Sequence, residues 1–130
     1  MRKLFTPALM LGILLCACTI SLTVMADSAI HNNSSATGRV RAINPEWGNI
    51  DTEFVYSDLE RLGITKNTTF TVQFREKSFK VMMGSTYDDV QKGEWVAFIT
   101  AEGFLRIARN VDSAVMLLGC KPGDNIVIRK

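Results

Sequence analysis

Beyond residue 37, hydrophobic and polar positions follow the two-residue period of strands over most of the chain. The strongest stretch is 95–109. Its first arm, Trp95-Val96-Ala97-Phe98-Ile99, is apolar on both parities and predicts a strand buried on both faces. In the second arm, Leu105 and Ile107 alternate with Phe104, Arg106 and Ala108. Glu102-Gly103 joins the arms, and the glycine allows the positive φ of a tight hairpin. A lone hairpin is marginal in water, so other strands must pack on it. Residues 38–43 set Val40 and Ala42 against Arg39 and Arg41 and stop at Pro45, which cannot donate to a ladder. Residues 50–56 form a short extended piece. Residues 68–74 place Phe70, Val72 and Phe74 on one parity, and Glu76-Lys77 turns the chain into 78–82. Residues 125–129 close the pattern with Ile126 and Ile128 against Val127 and Arg129.

Helical signals are brief. Ser57-Asp58-Leu59-Glu60 reads as a capping box opening a turn or two that Gly63 stops. Asp112 or Ser113 caps an apolar helix over 114–118, ended by Gly119. Gly84-Ser85-Thr86, Asp88-Asp89, 91–94 and 121–124 mark loops and turns. Short strands separated by turns, with one or two short helices, predict an all-β fold: a small antiparallel sandwich or partly closed barrel.

The first residues carry a different pattern. Arg2 and Lys3 precede an apolar run over 8–24, and Val24-Met25-Ala26 ends in small residues at cleavage spacing. Residues 1–26 therefore read as a secretory signal peptide, and the chain is expected to be exported, to a periplasm or the extracellular space. Leu15-Cys16-Ala17-Cys18 resembles a bacterial lipobox, which would place a lipid on Cys18. An uncleaved anchor is the third reading, although the run is short for spanning and contains Cys16, Thr19, Ser21 and Thr23. Membrane contact is expected only through this segment or a lipid. Residues 27–37 are polar and read as a flexible tether, leaving 38–130 as the domain.

Charge and composition then exclude several classes. Loss of Arg2 and Lys3 with the signal leaves the 13 acidic residues matched by as many basic ones. There is no basic stripe with interleaved aromatics, so nucleic acid is not an expected partner. Of the 3 cysteines, Cys120 alone remains after cleavage; it cannot form an intramolecular disulfide and reads as buried filler. His31, the single histidine, lies in the tether, which argues against a histidine triad or a zinc site in the domain. Asp88-Asp89 reads as solvated loop charge and Met82-Met83 as core filling. Asn33-Ser34-Ser35 and Asn67-Thr68-Thr69 match glycosylation acceptors, relevant only in a eukaryotic secretory pathway. No catalytic residue and no metal ligand are predicted. Arg109 is in phase with Leu105 and Ile107 at the end of its strand. It reads either as the rim of a pocket or as a stem laid on the core with its head in water.

Two segments carry a resemblance. Ile43-Asn44-Pro45-Glu46-Trp47-Gly48-Asn49-Ile50-Asp51-Thr52 resembles the motif I-D-x-x-F-G-N-x-x-T-N of the SAM hydroxide adenosyltransferases, relatives of fluorinase and chlorinase. Gly103-Phe104-Leu105-Arg106-Ile107-Ala108-Arg109-Asn110 is similar to that family's S-R-G-x-L-x-x-A-R-N, and Gly123-Asp124-Asn125-Ile126-Val127 fits its late strand. The resemblance spans roughly 38–129, which in the family is only the C-terminal β-domain; the catalytic N-terminal domain has no counterpart in this sequence. There the N-terminal domain supplies most contacts to the ribose and methionine, and the C-terminal domain of a neighbour in a trimer closes over the adenine.

Carried over by position, the resemblance implies that Asn49 hydrogen-bonds an adenine edge, with Arg109 and the backbone near Val111 doing likewise. Trp47 takes the place of a phenylalanine, as a stacking wall or as plain core. Asn44 replaces the family's aspartate, Ala101-Glu102 its Ser-Arg pair and Glu53 its second asparagine, whereas Thr52 is kept. These departures imply a module with no resident cofactor, for which S-adenosylmethionine or adenosine is the implied ligand and a protein partner or a homotrimer the implied company. Three functions follow: a non-catalytic interaction or structural module, a weak adenosine-type binding module using Trp47, Asn49 and Arg109, or half of a split SAM hydrolase completed by another chain. Adenosine has about 19 heavy atoms; at about −0.3 kcal/mol each, a full pocket yields tens of micromolar and a half-pocket only several millimolar.

Overall fold

The computed structural model describes residues 35–130; the signal segment, Cys18, His31 and most of the tether lie outside the described residues. Seven strands make one closed barrel: β1 (Ser35–Asn44), β2 (Asn49–Val55), β3 (Thr69–Phe74), β4 (Lys77–Met83), β5 (Trp95–Ile99), β6 (Phe104–Arg109) and β7 (Asn125–Arg129). Around the barrel they run β1-β2-β6-β5-β4-β3-β7, and β7 pairs back onto β1. Two short helices, α1 (Tyr56–Leu62) and α2 (Ala114–Leu118), interrupt the strands.

Inward parity follows the apolar period. Phe70, Val72 and Phe74 on β3, Leu105 and Ile107 on β6, and Ile126 and Ile128 on β7 are all buried, and with Val40, Ile50 and Val81 they fill the interior. Val96 and Ala97 of β5 are both fully buried, as the two-faced apolar run predicts, whereas Trp95, Phe98 and Ile99 are half-covered. Trp95 stacks on Phe79 with ring centroids 4.1 Å apart. Met83 and Cys120 are core residues, and burial pushes the Cys120 thiol pKa up, so it is packing rather than a nucleophile.

Several local expectations are corrected by pairing. β1 begins at Ser35, inside the stretch expected as tether, because Ser35, Ala36 and Thr37 align with Arg129, Ile128 and Val127 of β7. Of the sandwich and the partly closed barrel expected, the barrel is the one formed, and its closure is complete; one pair departs from the antiparallel pattern: β4 and β5 are parallel through Met82–Val96 and Met83–Ala97. The segment 84–94 makes the return crossover that a parallel pair demands. The first helix starts one position before Ser57, and its N-terminus is held by Asp58, whose carboxylate accepts the Val55 N–H at 3.0 Å. The turn before β4 is Arg75-Glu76, with Phe74 facing Lys77 and Arg75 at a φ of 52°. At α2 the alternative resolves to Ser113, whose hydroxyl accepts the Met116 N–H at 3.1 Å.

Candidate functional site

One end of the barrel bears a groove of about 490 Å³. Its walls come from two segments far apart in sequence and one crossover loop. Glu46, Trp47 and Gly48 lie in the β1–β2 turn; Arg109 through Ser113 connect β6 to α2; Tyr87 belongs to a 3₁₀ turn, Tyr87–Asp89, in the crossover. The turn is tight because Pro45 ends β1 and Asn44 folds its side chain back, accepting the Glu46 and Trp47 N–H groups at 3.0 Å each. Gly48 sits at a φ of 69° and meets the α2 cap so closely that an added Cβ would lie 2.5 Å from the Ser113 Cα. That contact brings the first motif against the segment that follows the second.

Three of the four residues carried over by the resemblance line this groove: Trp47, Arg109 and Val111. Trp47 is 67% exposed and so is a wall, not core. Val111 is 77% exposed at a φ of 57°, a conformation a β-branched residue adopts only under constraint. The constraint is visible at the preceding residue. The Asn110 N–H donates to the Glu94 carbonyl, its side-chain Nδ2 to the Val90 carbonyl at 2.8 Å, and its own carbonyl accepts the Gly93 N–H at 2.7 Å. Among the described residues, no hydrogen bond uses the Val111 N–H or carbonyl.

Arg109 is spent on the loop. Its Nε and Nη2 donate to the Gly93 carbonyl at 3.1 and 2.8 Å, and Nη1 pairs with Asp112. The head is therefore not in water, as the plain reading of a rim arginine would have it. It ties the 91–94 turn to the groove, and its guanidinium carbon lies 5.5 Å from the Trp95 ring centroid.

Asn49 is not in the groove wall but behind it. It is 2% exposed, and its Nδ2 donates to the Tyr87 hydroxyl at 2.7 Å. Beside this pair, Arg106 grips Asp51 through two hydrogen bonds of 2.6 and 2.9 Å. Asp51 raises the guanidinium pKa above its ordinary value against the opposing effect of burial, and the Tyr87 hydroxyl adds a smaller push. Thr52, kept from the motif, is fully buried and donates its hydroxyl to the Leu105 carbonyl at 2.8 Å; its role is to pin β2 to β6.

Tyr87 is the groove residue that sequence reasoning passes over. The available signal is an aromatic in an otherwise polar loop, between Thr86 and Asp88. Its loop is held by Asp89, whose Oδ2 accepts the Ser85 and Thr86 N–H groups at 2.6 and 3.1 Å. Those hydrogen bonds hold the Asp89 pKa below the usual aspartate value. The folded form thus binds its proton less readily than the unfolded chain. The loop's stabilisation is complete above about pH 3.9 and is lost as pH falls through the lowered value. Acidification should move the Ser85 and Thr86 amide resonances with a midpoint below about 3.9, and Asp89→Asn should abolish that step; a midpoint at or above the ordinary value would contradict it.

Fold and groove together define a small closed β-barrel domain with a recessed end site. Among the described residues, no cluster of histidine, cysteine or carboxylate side chains is placed to hold a metal ion. The chain belongs to the family described as the SAM hydroxide adenosyltransferase C-terminal domain, which matches residues 38–127. A solved uncharacterized conserved protein from Thermotoga maritima is similar at 28% identity and a TM-score of 0.71, over 75% of this chain and 37% of that one. A conserved hypothetical protein from Thermus thermophilus shares the fold at 24% identity and a TM-score of 0.54, over 71% of this chain and 34% of its own. The chain thus spans little more than a third of these relatives. None of the curated proteins matches it.

Proposed function

We propose that this domain is an exported, non-catalytic capping module. It offers one wall of a site for a planar, adenine-like group, and a second protein surface supplies the other. The observation that carries the reading is the convergence of Trp47, inside the first family motif, and Val111, next to the end of the second, on one groove where both are exposed. Trp47 offers an indole face for stacking. Val111 offers a free backbone donor and acceptor. Arg109 positions the Val111 loop instead of reaching the ligand, which leaves the groove poor in directed polar groups and suits a weak half-site. Export rests on the N-terminal pattern of residues 1–26, and cell fractionation tests it directly.

Titration of the chain without residues 1–26 by adenosine, followed by amide NMR, tests the half-site. Shifts are expected at the Trp47 indole N–H, Gly48, Val111 and Asp112, with an affinity of several millimolar, the value that half an adenosine pocket provides. Shifts elsewhere, or none up to about 10 mM, would sink the reading. An affinity of tens of micromolar would show that one chain holds a whole pocket and needs no second surface.

A further inference from the structure

Four neighbouring strands of the barrel, β1, β7, β3 and β4, contain no aspartate or glutamate. Their outward positions carry cations set among hydroxyl and amide side chains, and register assembles them. Arg129 lies between Ser35 of β1 and Thr71 of β3, and Thr71 in turn lies opposite Lys80 of β4. Arg39 lies opposite Asn125 of β7. All three cations are exposed. Among the described residues, none of the three makes an ion pair, whereas Arg41, further along β1, is paired with Glu102. Arg129 Nη2 donates to Gln73 Oε1 at 2.6 Å, and Lys80 Nζ to the Thr71 hydroxyl at 2.7 Å. Both heads therefore lie on the wall and meet only neutral oxygens. At the rim, Asp124 is already paired with Arg75, and Glu76 sits in the turn between β3 and β4. The other half of the barrel differs, since there Asp51 neutralises Arg106.

We propose that this wall docks on a membrane surface of anionic phospholipid headgroups. Charge decides the sign of the partner. Guanidinium and ammonium groups without carboxylates, set among hydroxyls and amides, suit phosphate oxygens, which arginine takes in bidentate fashion and lysine as a point charge. The place where residues 1–34 join the barrel decides which polyanion. The chain enters at Ser35, directly opposite Arg129, so the N-terminal pattern of export signal or lipid site lies immediately upstream of this wall. Each cation near an anionic surface strengthens partition about fivefold. A basic patch also supplies the second signal that a single lipid chain needs for stable anchoring. The sequence shows no basic stripe because Arg39, Lys80 and Arg129 are far apart along the chain, and only the strand register collects them. The groove shares no residue with the wall, so it stays open, and the proposal does not rest on the half-site reading.

The experiment is vesicle co-sedimentation of the chain without residues 1–26, so that no apolar N-terminal run can insert. Vesicles of phosphatidylcholine alone are compared with vesicles containing about 30% phosphatidylglycerol. Binding to the anionic vesicles is expected to be about a hundredfold stronger, three cations at about fivefold each. It should fall about tenfold or more between about 0.05 and 0.5 M salt. Lys80→Gln should weaken it about fivefold, and Arg39→Gln/Lys80→Gln/Arg129→Gln should bring it down to the phosphatidylcholine level. Lys92→Gln removes the same charge from the turn that Arg109 ties to the groove, and should change binding by less than about twofold. The comparison of vesicles and the salt dependence need only the wild type, so they stand even if the triple variant fails to fold. Equal binding to the two vesicle types, no binding to the anionic ones, or equal losses in Lys80→Gln and Lys92→Gln would overturn the proposal. So would retention on heparin without binding to vesicles, which would assign the wall to a different polyanion.

Discussion

Phe70→Ala is expected to destabilise the barrel by about 3–5 kcal/mol, the range for deleting a buried aromatic side chain. Phe70 is 1% exposed on β3, in the middle of the ladder, opposite Val81 of β4. Val72, Phe74 and Ile128 share its interior and are themselves fully covered, so the surroundings have little freedom to collapse into the void. A domain of this size holds about 5–15 kcal/mol in total, so the variant would lose roughly a fifth of its stability or more. Urea unfolding should show a much lower midpoint with an unchanged slope. A loss under about 1 kcal/mol would mean that Phe70 is not a core residue in solution.

Gly48→Ala is expected to cost about 2–5 kcal/mol and to spoil the groove, by two effects that add. A side chain in the left-handed region costs about 1–2 kcal/mol, and forced overpacking about 1–3 kcal/mol more. The clash falls on the Ser113 Oγ, Cα and Cβ together, so turning the hydroxyl away does not relieve it. Relaxation is blocked because the Gly48 N–H donates to the Asn44 carbonyl at 2.7 Å and its carbonyl accepts the Val115 N–H at 3.1 Å. Gly119 supplies the control. It has a similar φ of 62° but nothing within 4 Å of an added Cβ, so Gly119→Ala should show the strain alone. If the two variants lose equal stability in thermal or urea unfolding, the Gly48–Ser113 contact is not what closes this end of the barrel. If Gly48→Ala is the worse, the α2 amides should shift with it.

The strands and the buried parity of β3, β6 and β7 were legible from the apolar period, because the side chains of a strand alternate between faces whatever the strand pairs with. The α2 cap was legible too, since Ser113 and the Met116 N–H it binds lie within one helical turn. Trp47, Arg109 and Val111 could be singled out because each sits inside or beside a contiguous motif. What the motifs could not say was how each side chain is used. The Arg109 head goes to a carbonyl 16 positions away and Asn49 to a phenol 38 positions away, and no local pattern specifies such partners.

The all-β class and the set of strands were therefore readings of the sequence, and family membership bears out the two motifs on which the resemblance rested. Only the tertiary structure decided that β7 closes onto β1, that β4 and β5 run parallel, and that Tyr87 comes to lie against Asn49. The physical reason is range. Periodicity and capping act within a few residues, whereas closure and the satisfaction of a buried amide depend on which distant backbone arrives beside it.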